Sequence, residues 1–154
     1  ERFGRLELDP DQAALVRSFT RTMRVLCMTG PWCGDCALQG AAMARIAEAN
    51  PCVDLRFVHR NQHAELQVKA PINAGFRVPV TFFMSEDFEA VSTFGDRTLS
   101  RYRSMARKAI GEDAVVATPP TDPVREVLRE VLEEFERVHL LPRLSTRLRQ
   151  AHGD

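Results

Sequence analysis

Met23-Arg24-Val25-Leu26-Cys27-Met28-Thr29-Gly30-Pro31-Trp32-Cys33-Gly34-Asp35-Cys36 is the stretch on which the fold turns. Its first half, Met23 to Met28, is short and apolar and is bounded by Thr29-Gly30-Pro31, which reads as a buried strand stopped by a turn. Its second half opens an Ala-rich segment from Cys33 to Asn50. There Leu38, Met43, Ile46 and Ala47 fall on one side, and Asn50-Pro51 provides the stop expected of a helix. Strand, turn and helix thus deliver two thiols, with two residues between them, to the first turn of a helix. Thiols so spaced can close a short disulfide ring, and the free N–H groups of a helix N-terminus stabilise a thiolate. Cys33 is expected exposed and Cys36 turned inward, so that Cys33 attacks a disulfide and Cys36 resolves the mixed disulfide. A close cysteine pair also serves as half of a zinc site. No second close pair exists, however, and a metal would have to recruit Cys27, Cys52, His59 or His63, which nothing in the spacing brings together.

The flanking sequence supplies the rest of an α/β pattern. Asp9-Pro10-Asp11-Gln12 is a helix start with a cap, a first-turn proline and a capping-box glutamine. The helix it opens, with Leu15, Val16 and Phe19 at helical spacing, is expected to end near Arg21. Val53 to Val58 alternates as a strand, and His63 to Lys69 makes a short helix closed by Pro71. Val80 to Met84 and Glu89 to Phe94 are two further strands, joined by Ser85-Glu86-Asp87 and therefore expected to pair antiparallel. Arg97 to Ile110 reads as a helix whose Leu99, Tyr102, Met105, Ala106 and Ile110 face a sheet. Beyond Thr118-Pro119-Pro120-Thr121-Asp122-Pro123, the residues Val124, Val127, Leu128, Val131, Leu132, Phe135 and Val138 repeat at three and four, giving one long amphipathic helix to about Leu141. Residues 142–154, with Arg143, Arg147 and Arg149, read as a partly frayed basic tail. The expected division is a domain over 1–112 and a helical extension over 113–154, packed on that domain or against a second copy.

Three features, taken in order, resemble the thioredoxin family and in particular bacterial thioredoxin-like proteins: the Trp32 to Cys36 motif after a strand, Val78-Pro79 before the strand Val80 to Met84, and Gly95 after the next strand. The likeness runs from about Met23 to Ile110. It implies a thioredoxin-like fold, with a central mixed sheet flanked by helices and a C-terminal helical extension added here. It implies thiol–disulfide oxidoreductase activity with Cys33 and Cys36 catalytic, a cis bond at Pro79, and a shallow groove in which Trp32, Gly34, Asp35, Val78, Pro79 and Gly95 meet an extended substrate segment. The Val78 backbone would pair with that segment as an added strand. One departure from the family is Cys27, which stands where thioredoxins usually carry a buried Asp that helps move protons to the second cysteine; water, Asp35 or His59 are the substitutes at hand. Another is Asp35, in place of the usual proline. A carboxylate about 6 Å from Cys33 disfavours the thiolate by up to about 2 or 3 kcal/mol at an effective dielectric near 20, which leans toward a reductant.

With 154 residues, 44% of them hydrophobic, the chain can bury a core without disulfide staples, so its four cysteines are read for chemistry. Twenty-one basic residues balance 21 acidic ones, which removes the uniform positive field of a dedicated nucleic-acid binder. Nineteen of the basic residues are Arg, a series that includes Arg97, Arg101, Arg103 and Arg107, read as mostly solvated surface. No apolar run approaches the roughly 18 to 20 residues needed to span a bilayer. A cytoplasmic location is expected, although a start at Glu1 leaves room for a removed leader or anchor. Neither a metal nor an organic cofactor is expected, because electrons pass through the cysteine pair. The expected partners are a disulfide-containing protein or low-molecular-weight thiol, and a reductase or thiol reductant. A homodimer through the long helix is the further possibility, and Cys52 reads as a semi-buried free thiol. Two other readings compete: a non-catalytic interaction module on the same scaffold, and a metal-binding protein using the cysteine pair.

Overall fold

Asp9 closes the first helix as its position requires: its carboxylate accepts the Gln12 amide at 2.9 Å while the Gln12 side chain accepts the Asp9 amide at 3.1 Å. In the computed structural model, which describes residues 4–154, the elements in chain order are α1 (Pro10–Arg17), β1 (Met23–Thr29), α2 (Gly34–Ala49), β2 (Val53–His59), α3 (Ala64–Lys69), β3 (Val80–Met84), β4 (Ala90–Gly95), α4 (Leu99–Ala109), α5 (Pro123–Leu144) and α6 (Thr146–His152). The four strands form one sheet in the order β2-β1-β3-β4. β1 and β2 are parallel, while β3 runs antiparallel to both β1 and β4. α1 ends four residues earlier than the sequence suggests. Phe19 is buried, and the Asn50 amide donates to the Val16 and Phe19 carbonyls, so the chain leaves the helix to enter the core.

Alternation along the strands sorts the sheet into two faces. Met23, Val25 and Cys27 of β1 and Phe83 of β3 join Val16 of α1, Ala42, Met43 and Ile46 of α2 and the whole apolar stripe of α5 in the main core. Phe83 and Phe135 meet edge to face, with ring centroids 5.0 Å apart. The opposite face carries a smaller cluster, Met28, Ala70 and Val80, with Leu66 of α3 against it. The α5 stripe is therefore buried within the chain.

Two expectations are overturned. α4 does not turn Leu99, Tyr102, Met105 and Ile110 to the sheet; all four are exposed. Its buried residue is Ser100, whose amide and hydroxyl both donate to Glu130 of α5, so a polar contact at the helix N-terminus sets the rotation of α4. The C-terminal residues are not frayed. Ser145 caps α6, Leu148 is buried, Gly153 ends the helix in the left-handed region, and Arg147, Arg143 and His152 pair with Glu89, Asp154 and Asp87.

Candidate active site

The turn between β1 and α2 sets the two thiols. Cys33 has extended backbone and is itself the cap of α2: its Sγ accepts the Cys36 amide at 3.2 Å. It is half-buried, whereas Cys36 is only 3% exposed. Burial, with the neighbouring Cys33 sulfur, pushes the Cys36 thiol up to about 12, while the Thr29 hydroxyl and the Gly30 backbone act in the opposite direction. Trp32 is 53% exposed and folds back over Gly30, where an added Cβ would lie 2.6 Å from the indole. Gly34 is exposed, with open space around it.

The facing wall comes from the head of β3 and the end of β4. The Val78 carbonyl lies 3.5 Å from Cys33 Sγ, and the Val78–Pro79 bond is cis. Gly95 has φ of +140°, and a Cβ there would meet the Pro79 carbonyl oxygen at 2.3 Å, so only glycine lets β4 pass this close to the loop. A family model described as thioredoxin matches residues 2–109. The chain belongs to the thioredoxin family. No curated protein matches its sequence. In fold, the chain is similar to a crystal structure of a protein of unknown function from Pseudomonas aeruginosa, with 15% identity, a TM-score of 0.65, and coverage of 89% of this chain and 81% of that one. It is also similar to an HIV epitope-scaffold, with 16% identity, a TM-score of 0.62 and the same two coverages, 89% and 81%. Chlamydomonas reinhardtii thioredoxin f2 aligns at 15% identity and a TM-score of 0.41, covering 68% of this chain and 94% of that one.

The surroundings of Asp35 differ from the sequence expectation. Asp35 is buried, and its two oxygens receive Arg97 Nε at 3.0 Å and Arg101 Nε at 2.7 Å. Arg97 and Arg101 are thus tied to a carboxylate of the fold and not simply solvated, and the lone carboxylate charge expected to oppose the Cys33 thiolate is offset by two guanidiniums. Arg97 also bonds Asp96 at 2.7 Å, and Asp96, 1% exposed, takes further bonds from Asn73 at 2.8 Å and from Tyr102. Burial works against ionisation of Asp96, but the Tyr102, Asn73 and Arg97 contacts outweigh it and hold the carboxyl below its ordinary value. Asn73 lies in the loop that carries Val78, so the Asp35-Arg97-Asp96-Asn73 chain ties α2 to the wall facing Cys33.

Other candidates fall elsewhere. Cys27 lies on the core face of β1 and is pushed up to about 11 by burial, against a hydrogen bond from Thr81, so the position of the family's usual Asp offers no base. Cys52 sits in the turn before β2, and His63 pairs with Glu65. His59 stands edge-on to Trp32, with ring centroids 5.4 Å apart. Among the described residues, no three His, Cys, Asp or Glu side chains gather closely enough to hold a metal ion. None of the helices of the described residues is long and apolar enough to cross a membrane. Sequence reasoning missed Thr29 and Arg60. Thr29 was legible as the last strand residue before the motif; Arg60, next to His59 at the end of β2, gave no local signal.

Proposed function

We propose that this protein is a thiol–disulfide oxidoreductase that reduces disulfides of proteins or small molecules. The observation that carries the reading is the cysteine pair at the head of α2, with the half-buried Cys33 Sγ on the Cys36 amide at 3.2 Å and Cys36 buried behind it. The Cys33 thiolate attacks one sulfur of the substrate, forming a mixed disulfide and expelling the other substrate sulfur as a thiolate. Cys36 then loses its proton and attacks Cys33, closing the Cys33–Cys36 disulfide and releasing the second substrate thiolate, which is protonated. Two electrons have passed from the pair to the substrate, and an external dithiol or reductase returns the pair to the thiol state. The half-buried Cys33 is the sulfur a substrate can reach, whereas the Cys36 thiol is held up chiefly by burial and then by the Cys33 sulfur, against the Thr29 hydroxyl and the Gly30 backbone, so Cys36 keeps its proton until Cys33 has reacted.

Insulin-disulfide reduction with dithiothreitol as the terminal reductant tests the reading. Wild type should exceed the uncatalysed rate and Cys33→Ser should return to it. Cys36→Ser should retain substrates as mixed disulfides on Cys33 that the double variant does not hold. Equal rates for wild type and Cys33→Ser, with no trapped adducts, would leave an interaction module on this scaffold as the better account.

A further inference from the structure

The wall on the Trp32 side of the thiol carries a cation that no carboxylate of the described residues neutralises. The Arg60 guanidinium lies over the Trp32 ring, 5.1 Å from its centroid. Its Nη1 donates to the Phe76 carbonyl at 3.2 Å, two residues before Val78. Arg60 therefore spans the groove from the Trp32 side to the loop side. The carboxylates nearest it in sequence are engaged elsewhere: Asp54 with Arg24 and Arg56, Glu65 with His63. Its Nε is buried without a protein acceptor, so part of the hydration of this cation is already lost.

The wider surroundings have the same sign. Around the thiol, Arg60, Arg77, Arg97 and Arg101 face only Asp35 and Asp96, which leaves two positive charges in a chain whose formal net charge is zero. The two signs are also layered. The Asp35 and Asp96 side chains are 10% and 1% exposed, whereas those of Arg77 and Arg101 are 47% and 38% exposed. Carboxylates lie beneath and guanidiniums above, so an approaching chain meets the positive layer, flanked by the exposed rings of Trp32 and Phe76.

We infer that the groove selects peptide disulfides whose reactive cysteine is flanked by Asp or Glu, and that Arg60 is the specificity-determining residue. A flanking carboxylate meets a partly desolvated guanidinium with N–H groups to spare, while the neighbouring backbone lies along the Val78 wall and apolar substrate atoms cover Trp32 and Phe76. A flanking Lys or Arg meets repulsion at the same point, which discriminates as much as the attraction does.

This inference rests on the oxidoreductase reading and deepens it, and the test separates the two. Two synthetic peptides with one internal disulfide, identical except for Glu or Lys on both sides of the first cysteine, are mixed with the fully reduced protein, and the reaction is followed by the fluorescence of Trp32, the single tryptophan. The Glu peptide should react about tenfold faster at low salt, and the preference should collapse at molar salt. Arg60→Glu should invert the preference, and Arg60→Gln, which loses the charge and keeps a polar side chain, should abolish it. Equal rates for the two peptides with wild type, or a preference that survives in Arg60→Gln, would overturn the inference while leaving the oxidoreductase intact. Should neither peptide react, the oxidoreductase reading fails instead. The charge preference is then read from equilibrium titration of Cys33→Ser with the same peptides, where equal affinities overturn it and an about tenfold preference for the Glu peptide sustains it.

Discussion

Replacing Arg97 by Ala removes the one guanidinium that bridges both buried aspartates. Asp35, its side chain 10% exposed, keeps only Arg101 Nε at 2.7 Å. Asp96, 1% exposed, keeps Asn73 and Tyr102, with Arg77 at 3.7 Å. Removing one partner of a buried ion pair costs about 3 to 5 kcal/mol, because the remaining charge is left desolvated and unpaired. Arg97 is itself 23% exposed and each aspartate retains other donors, which places the cost at the lower end, about 3 kcal/mol. With a urea slope near 2 kcal/mol per molar, the unfolding midpoint should fall by about 1.5 M. The second arm is a double-variant cycle. In the Arg97→Ala background, Asp35→Asn should cost less than it does in the wild-type background, with a coupling of about 1 to 2 kcal/mol, since the carboxylate it removes has already lost a partner. Unfolding followed by circular dichroism in urea gives all four free energies. A loss under about 1 kcal/mol for Arg97→Ala, or Asp35→Asn costs equal in both backgrounds, would refute the description of this chain of contacts as a buried tie between α2 and the facing loop.

Gly95→Ala should destabilise and slow disulfide reduction together, because its Cβ would stand 2.3 Å from the Pro79 carbonyl at a φ of +140°, forcing the loop beside Cys33 to move; retention of both wild-type stability and rate would contradict this. Phe135→Ala empties a fully buried site beneath the sheet and opposite Phe83, and should cost about 3 to 5 kcal/mol in urea unfolding with the Cys33 alkylation rate of the folded protein unchanged. His139 should make stability depend on pH. Burial, reinforced by Arg143 and Arg21 against the opposing Asp154, lowers its folded-state value, and its Nε2 accepts the Thr20 amide at 3.0 Å, which requires the neutral ring. The unfolded chain binds the proton below about pH 6.5 and the folded chain does so only at lower pH, so this contribution is fully present above about 6.5 and is lost as pH falls from there. The melting temperature of wild type should decline between pH 7 and 5 more steeply than that of His139→Gln; parallel profiles would remove the imidazole from the account.

What was legible in the sequence was what is local. The Asp9 capping box, the strand, turn and helix around Cys33, the stop at Asn50-Pro51 and the stripe of α5 are each specified by residues within a few positions of one another, and each stands where its pattern puts it. The rotation of α4 was not legible, because Leu99, Tyr102 and Met105 do have helical spacing. What turns them outward is a bond from Ser100 to Glu130, 30 residues away. α6 was hidden for a similar reason: the arginines of residues 142–154 suggested a solvated tail, while Glu89 and Asp154, which pair with Arg147 of α6 and with Arg143 just before it, lie in a distant turn and at the end of the chain. A charge pattern does not disclose whether its counter-charges will come from solvent or from the fold.

Asp35 carries the same point into the chemistry. Taken alone, it places a negative charge about 6 Å from the sulfur, worth about 2 to 3 kcal/mol against the thiolate at an effective dielectric near 20. In the fold, α4 and the turn before it bring Arg101 and Arg97 onto the carboxylate from 66 and 62 positions away, and Arg60 and Arg77 add positive charge that Asp35 and Asp96 do not cancel. The carboxylate is thus already paired, and the electrostatic reason it gave for leaning toward a reductant falls away.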